Sequence, residues 1–113
     1  MTEKAIRSKA IQDATRNAIE IPFKVMQTAY SSMEVIKAMA ETGNPNSVSD
    51  AGVGALCARS AVMGAFMNVR INAADYEDKA YVNDIITKGK EIENKTIALE
   101  KEILAVVNTK IGI

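Results

Sequence analysis

The sequence contains no histidine, no tryptophan and only one cysteine, Cys57. Without histidine, the chain cannot form a histidine-ligated zinc site or a Ser-His or Cys-His nucleophile pair. A single cysteine cannot form a disulfide within the chain, and an unpaired thiol is typical of a reducing compartment. The first residues, Met1–Lys4, also lack the basic and apolar layout of a secretory signal. A cytoplasmic location is therefore expected.

Excess charge of either sign is absent as well, because 14 Lys and Arg residues balance 14 Asp and Glu residues. Proteins that bind nucleic acids usually carry excess positive charge, so no nucleic-acid partner is expected. Aromatic residues make up only 4% of the chain, whereas Ala, Ile, Val, Met, Glu and Lys are frequent. This composition favours helices over sheets and predicts one all-α domain over residues 1–113.

The first predicted helix runs from about Thr2 to Glu41 and contains Pro22. Its apolar positions recur with a helical period at Ile11, Ala14, Ala18, Val25, Ala29, Ser32 or Met33, and Ile36. A proline inside a helix removes one backbone donor, and its ring presses against the carbonyl four residues earlier, here that of Ala18. Either one kinked helix or two helices that meet near Ile21 would result. The stripe stays in phase across Pro22, which favours a single kinked helix.

A break at residues 42–46 separates the first helix from the second. It contains Gly43, which suits a left-handed helix cap, and an Asn-Pro step that disfavours helical geometry. Ser47 and Asp50 follow with the spacing of a capping box, in which each side chain bonds to the backbone of the other. The second helix is predicted from near residue 48 to about residue 71.

The third helix is predicted to begin near Glu77 and to run close to the C-terminus. Its apolar residues alternate three and four apart and form a heptad seam. The seam consists of Val82, Ile85, Gly89, Ile92, Thr96, Leu99, Ile103 and Val106. The Lys and Glu residues between them, Glu100 included, are predicted to form a solvated face.

The second helix is apolar almost all round. Between residues 51 and 71 its strongly polar side chains are Arg59, Ser60, Asn68 and Arg70. Such helices are buried centrally or span a membrane. Arg59 would cost about 3 kcal/mol near the middle of a bilayer, so no membrane partner is expected. Cys57 is expected to be buried.

Two further helices cannot surround a central one, so a second copy of the chain is the simplest cover for its remaining face. Small residues along this helix would let another backbone approach closely, either within one chain or from a second copy. These residues are Ala51, Gly54, Ala55, Ala58, Ala61, Gly64 and Ala65.

Two stretches resemble a known family. They are residues 43–55, Gly-Asn-Pro-Asn-Ser-Val-Ser-Asp-Ala-Gly-Val-Gly-Ala, and residues 64–72, Gly-Ala-Phe-Met-Asn-Val-Arg-Ile-Asn. Both closely resemble the formiminotransferase-cyclodeaminase family, which includes formiminotetrahydrofolate cyclodeaminases and bacterial methenyltetrahydrofolate cyclohydrolases. The resemblance extends through residues 7–12, the Ile-Pro step at residue 22 and the charged third helix. Family members carry a preceding segment with a Pro-Gly-Gly-Gly-Ser-like turn, so the chain is expected to correspond to about the C-terminal half.

The resemblance implies an all-helical, intertwined homodimer that acts on a tetrahydrofolate derivative without a metal or redox cofactor. The implied reactions form or open the methenyl bridge of the folate. A ring nitrogen attacks the formimino carbon and ammonia leaves, or water attacks the methenyl carbon. The alternative is a non-catalytic helical dimerisation module that retains the dimer core without the rest of the pocket.

Without histidine, proton transfer must fall to carboxylates, lysines, hydroxyls, amides or water. Asp50 is the first candidate for a catalytic base or a cation-stabilising group, and a capping role is its alternative. Ser47 and Ser49 share its turn and are candidates for binding the substrate or capping the helix. Asn68 and Asn72 are candidates for reading the donor and acceptor edge of a pterin. Their alternative is hydrogen bonding between helices or helix termination.

Asp50 and Asn68 are predicted to share one face of the second helix, but they lie 18 residues apart, about 27 Å along an ideal helix. One chain therefore cannot bring both to one small ligand. If both line one site, the second helix of another chain must run antiparallel to the first. That arrangement would place the site at the dimer interface.

Overall fold

The computed structural model describes residues 2–113 as three helices: α1 (Glu3–Thr42), α2 (Val48–Ala73) and α3 (Lys79–Ile111). A single turn of 3-10 helix, Pro45–Ser47, precedes α2. No strand occurs within residues 2–113, so the predicted all-α class with three long helices is confirmed. Short connections make neighbouring helices antiparallel, and the molecule is a rod 67 Å long and about 19 Å wide.

Helix α1 continues through Pro22 as one element, which excludes two separate helices. Of the predicted stripe, Met33 is buried, and Ala29 and Ile36 are partly buried against the core. Ile19, Met26, Met33 and Ala40 are the buried ones, spaced seven residues apart. Ile11 and Val25 of the predicted stripe are 53% and 46% exposed. The apolar residues of α1 spread over two faces, and the face that contains Ile19 and Met26 is the more deeply buried.

The sequence patterns predict the bounds of the second and third helices closely. Helix α2 begins at the predicted residue and ends two residues beyond the predicted end. Helix α3 begins slightly later than predicted, because Asp78 caps it by accepting a hydrogen bond from the Tyr81 backbone N–H at 3.1 Å. The heptad seam of α3 is confirmed, with Ile85, Gly89 and Ile103 among its buried members.

Both cap predictions around the first break are wrong. Ser47 makes no side-chain capping bond, because the chain enters α2 from the 3-10 turn and the Ser47 N–H donates to the Asn44 carbonyl at 2.9 Å. Asn44 supplies the local cap by accepting from the Asn46 N–H at 3.0 Å. Gly43 is extended rather than left-handed, with φ −75° and ψ −177°. A side chain there would overlap the Met39 carbonyl, so a close approach of backbone explains this glycine.

The core consists of two clusters along the rod. One cluster surrounds Phe66 of α2 and includes Ile19, Met26 and Ile85. The other surrounds Ile103 of α3. Between α2 and α3, a Cβ added at Gly89 would overlap the Phe66 ring. Glycine at residue 89 therefore allows α3 to pack closely against α2.

Candidate functional site

Helix α2 has a broad uncovered face, because α1 and α3 pack against only part of its circumference. The exposed residues of this face are Val53, Leu56, Cys57, Ser60, Ala61, Gly64, Met67, Asn68 and Ile71. Cys57 is exposed, so the prediction of a buried thiol is wrong. Pro45–Ala73 is also long and apolar enough to cross a membrane by length and composition, a property that core helices of soluble proteins share. Apolar side chains of α2 therefore remain exposed along this face.

A groove of about 600 Å³ runs between α1 and α2 beside this face. Helix α1 contributes Ala18, Pro22 and Val25, and α2 contributes small residues such as Gly64. Asn68 and Asn72 lie at the end of the groove that is nearest the α2–α3 loop. Its size lies within the range of small-molecule sites, and its lining combines an apolar surface with a few polar groups.

Asn72 bridges α2 and α1. Its Nδ2 donates to the Asn68 carbonyl at 2.9 Å and to the Ala18 carbonyl of α1 at 3.4 Å. The structure therefore contains the interhelical hydrogen bond that was one alternative for this residue, and α2 ends one residue later. The Asn68 side chain is exposed. The two amides lie together at one end of the groove.

The other predicted site residues lie at the opposite end of α2. Ser47, Ser49 and Asp50 are all exposed around its first turn. Within residues 2–113, the Asp50 carboxylate makes no hydrogen bond or ion pair, so it is not engaged in the predicted capping box. Asp50 and Asn68 share the exposed face of α2, as predicted, but one chain does not bring them together.

An ion pair with one buried partner joins α2 to α3, and the sequence did not predict it. Arg59 Nη1 lies 2.7 Å from Glu100 Oε1, and the Glu100 residue is only 5% exposed. Glu100 was predicted to belong to a solvated face, and that prediction is wrong. Its spacing of four from Thr96 and three from Ile103 places it beside the buried seam, which is a signal in the sequence. Arg59, a charged residue of the largely apolar α2, therefore has a counter-charge on α3.

A polar network fixes the loop that follows Asn72. Gln12 of α1 donates to the Asp75 carbonyl at 3.4 Å and accepts from the Glu77 N–H at 2.9 Å. Nearby, the Arg16 guanidinium lies 4.3 Å from the centre of the Tyr81 ring and donates to the Glu20 carboxylate at 2.8 Å. These contacts hold the α2–α3 loop against α1 at the amide end of the groove.

Two pKa shifts accompany this network. The hydrogen bond from Arg16 lowers the pKa of the Glu20 carboxyl below its usual value of 4.5. Burial raises the pKa of the Tyr81 hydroxyl, and the neighbouring Glu20 carboxylate adds to the rise. The lowered pKa of Glu20 favours an ionised carboxylate at neutral pH, and the raised pKa of Tyr81 favours a neutral phenol. These are the charge states in which the two side chains make the contacts of this network.

In the part of the chain that the structure describes, no group of three or more His, Cys, Asp or Glu side chains is placed to hold a metal ion. The arrangement that remains is an all-helical protein with an apolar groove, two amides at one end of an uncovered helix face and a carboxylate at the other. Comparison with known proteins identifies the family of this arrangement.

The family model described as formiminotransferase-cyclodeaminase matches residues 1–91. A methenyltetrahydrofolate cyclohydrolase from Methylorubrum extorquens is 30% identical over 110 residues, which cover 97% of this chain and 53% of that protein. Formimidoyltransferase-cyclodeaminases from Dictyostelium discoideum and Rattus norvegicus are each 32% identical, over 92% and 70% of this chain respectively.

The chain belongs to the formiminotransferase-cyclodeaminase family, and the resemblance noted from its sequence is confirmed. The names of these relatives place the family in folate one-carbon metabolism. The chain spans about half the length of the cyclohydrolase and 20% and 15% of the two formimidoyltransferase-cyclodeaminases.

Proposed function

We propose that the chain takes part in folate one-carbon metabolism by carrying out cyclodeaminase or methenyltetrahydrofolate cyclohydrolase chemistry at an interface between two copies. The observation that carries this proposal is the uncovered face of α2. Asp50 and Asn68 both lie on that face, with exposed small residues such as Ala61 and Gly64 between them. An exposed apolar face of this length is typical of a surface that binds another protein.

A second copy is the cover that also completes the site. If two α2 helices pack antiparallel with Asp50 of one opposite Asn68 of the other, the two-fold axis passes near residue 59. Cys57 of one chain then faces Ala61 of the other, and these small exposed residues let the backbones approach closely. The carboxylate of one chain reaches the amide end of the partner's groove, and the symmetry produces two equivalent sites.

The chemistry assigned to Asp50 follows from its position. In the hydrolytic reaction, the oxygen of water bonds to the electron-poor methenyl carbon while the Asp50 carboxylate accepts the water proton. The protonated Asp50 then returns this proton to one ring nitrogen as its carbon–nitrogen bond breaks. The hydroxyl of the adduct loses its proton to solvent, which leaves a formyl group on the other nitrogen. The negative charge of Asp50 also stabilises the cationic methenyl group before attack. Asn68, Asn72, Ser47 and Ser49 bind and orient the folate.

Turnover of methenyltetrahydrofolate tests this proposal through the loss of its chromophore against a buffer blank. Asp50→Asn keeps the shape of the side chain and removes the base, so we expect a loss of at least a hundredfold in the rate, the usual scale for general base catalysis. Asp84→Asn is the matched control, because Asp84 is an exposed acid of α3 that pairs with Lys88. An unchanged rate in Asp50→Asn would contradict the role of this carboxylate.

The second candidate is a non-catalytic dimerisation module, favoured by the exposed apolar face of α2, which a second copy would cover whether or not a folate binds. This candidate predicts a stable helical dimer that binds no folate. Titration with 5-formyltetrahydrofolate separates the two functions, because the module gives no saturable signal. Sedimentation on the same sample reports the oligomeric state.

A further inference from the structure

Pro22 leaves a backbone acceptor in the wall of the groove. It lies inside α1, where an ordinary residue would donate its N–H to the carbonyl of Ala18. Proline has no N–H, so this carbonyl loses its helical partner. Both Ala18 and Pro22 line the groove. The Ala18 carbonyl instead accepts a long hydrogen bond of 3.4 Å from Asn72 Nδ2, and a carbonyl oxygen has a second lone pair for another donor.

The same contacts determine which way the Asn72 amide faces. Both of its close partners, the Ala18 and Asn68 carbonyls, accept hydrogen bonds, so the amide nitrogen must point toward them. Its two N–H groups are used in these bonds. The Asn72 Oδ1 has no donor within residues 2–113 and is left as a second acceptor at the same end of the groove.

We propose that the Ala18 carbonyl and Asn72 Oδ1 bind the N–H donor edge of the substrate's pterin ring, formed by its 2-amino group and the adjacent ring N–H. This inference rests on the proposed folate function and assigns the orientation of the ring. The Ala18 carbonyl has one unused lone pair and Asn72 Oδ1 has no donor within residues 2–113, so the two acceptors match two neighbouring donors. The pyrrolidine ring of Pro22 and the bare backbone of Gly64 leave room for a flat heterocycle between α1 and α2. Pro22 is a positioning residue, since it acts by freeing the carbonyl.

Pro22→Ala tests the inference directly. Alanine restores the N–H that bonds to the Ala18 carbonyl, so helicity and thermal stability should be unchanged or higher while ligand binding weakens. We expect about a three- to tenfold loss of affinity for 5-formyltetrahydrofolate, the scale of one neutral hydrogen bond. Val25→Ala is the matched control, because it trims the same groove without changing a backbone hydrogen bond.

A 2-desamino analogue of 5-formyltetrahydrofolate completes the test. The unmodified chain should bind the analogue about three- to tenfold more weakly than the parent compound. Pro22→Ala and Asn72→Leu should discriminate between the two compounds less than the unmodified chain does, whereas Val25→Ala should keep the discrimination.

The outcomes separate the two proposals. Binding of 5-formyltetrahydrofolate with equal discrimination in all four proteins would overturn the assigned orientation and leave the folate function standing. Absence of saturable binding to the unmodified, helical chain would overturn both proposals. Asn72→Leu provides an independent result if Pro22→Ala changes the helix content, which circular dichroism reports.

Discussion

Arg59 of α2 and Glu100 of α3 form an ion pair of 2.7 Å in which one partner is buried and the other is not. The Glu100 side chain is 6% exposed, whereas the Arg59 side chain is 39% exposed. Within residues 2–113, Glu100 Oε2 is buried without a hydrogen-bond partner. Glu100 therefore depends on Arg59 for the compensation of its charge, and the pair fixes the register of α2 against α3.

Replacement of Arg59 should be strongly destabilising, because it leaves a carboxylate buried without a counter-charge. We expect Arg59→Met to lower the free energy of unfolding by about 2 kcal/mol, below the 3–5 kcal/mol of fully buried pairs because Arg59 is partly exposed. Urea denaturation followed by circular dichroism measures this change. The double variant Arg59→Met/Glu100→Met should recover most of the loss. A double variant as unstable as the single one would contradict this account.

Gly89 should not tolerate even one added methyl group. A Cβ there would overlap the Phe66 ring, so Gly89→Ala should cost about 2 kcal/mol, as expected for overpacking of a close helix contact. Gly64→Ala is the control, because a Cβ at Gly64 meets nothing within 4 Å. In the isolated chain the control should gain up to about 1 kcal/mol from helix propensity. Equal effects of the two substitutions on thermal unfolding would refute this assignment.

Cys57 provides a probe of the proposed antiparallel pairing without any mutation. With the two-fold axis near residue 59, the two thiols are offset by about 6 Å along the helices, and the axes are about 8 Å apart. A short bismaleimide should therefore link two chains through Cys57, as a gel under denaturing conditions would show. The thiol is exposed and accessible to the reagent in the single chain.

A relocated cysteine distinguishes antiparallel from parallel pairing. Cys57→Ser/Asn68→Cys should not crosslink, because residue 68 lies far from its symmetry mate in the antiparallel arrangement. Adding Asp50→Cys to that variant should restore the crosslink between chains. Efficient crosslinking through residue 68 alone would instead indicate parallel helices and exclude the shared site.

Glu20 should make stability depend on acid pH. Its pKa is lowered in the folded chain, so the ionised form contributes stability above the ordinary value of 4.5. That contribution is lost as the pH falls through the lowered pKa. Glu20→Gln should therefore show a flatter loss of stability below about pH 5, by a small margin because the pair is exposed to solvent. Denaturation midpoints from pH 7 to 3 measure the difference, with Glu34→Gln as the control.

The start of α2 and the buried seam of α3 could be predicted because they depend on local signals. An Asn-Pro break precedes α2, and apolar residues three and four apart define α3. The inward face of α1 could not be predicted in the same way. Ile11 and Val25 repeat as regularly as Ile19 and Met26, and periodicity alone does not say which apolar stripe is the more deeply buried.

The candidate site also combines features that the sequence predicts with features that only the structure shows. The motif around Asp50 and the Asn68 and Asn72 pair were identifiable from residue types, spacing and family resemblance. The groove, the bond between Asn72 and the Ala18 carbonyl, and the buried Glu100 were not. Each depends on which surfaces of two helices face each other, and the residues that meet lie 35 or more positions apart in the sequence.

The sequence by itself determined an all-helical chain of three long elements, because composition, heptad spacing and the break before Pro45 act within a few residues. Only the tertiary structure decided which apolar faces are buried and which remain open. Burial depends on how three helices of unequal length pack against one another. Helix α2 has more apolar surface than α1 and α3 can cover. That uncovered surface, with Pro22 and Asn72 at its edge, is where the proposed function lies.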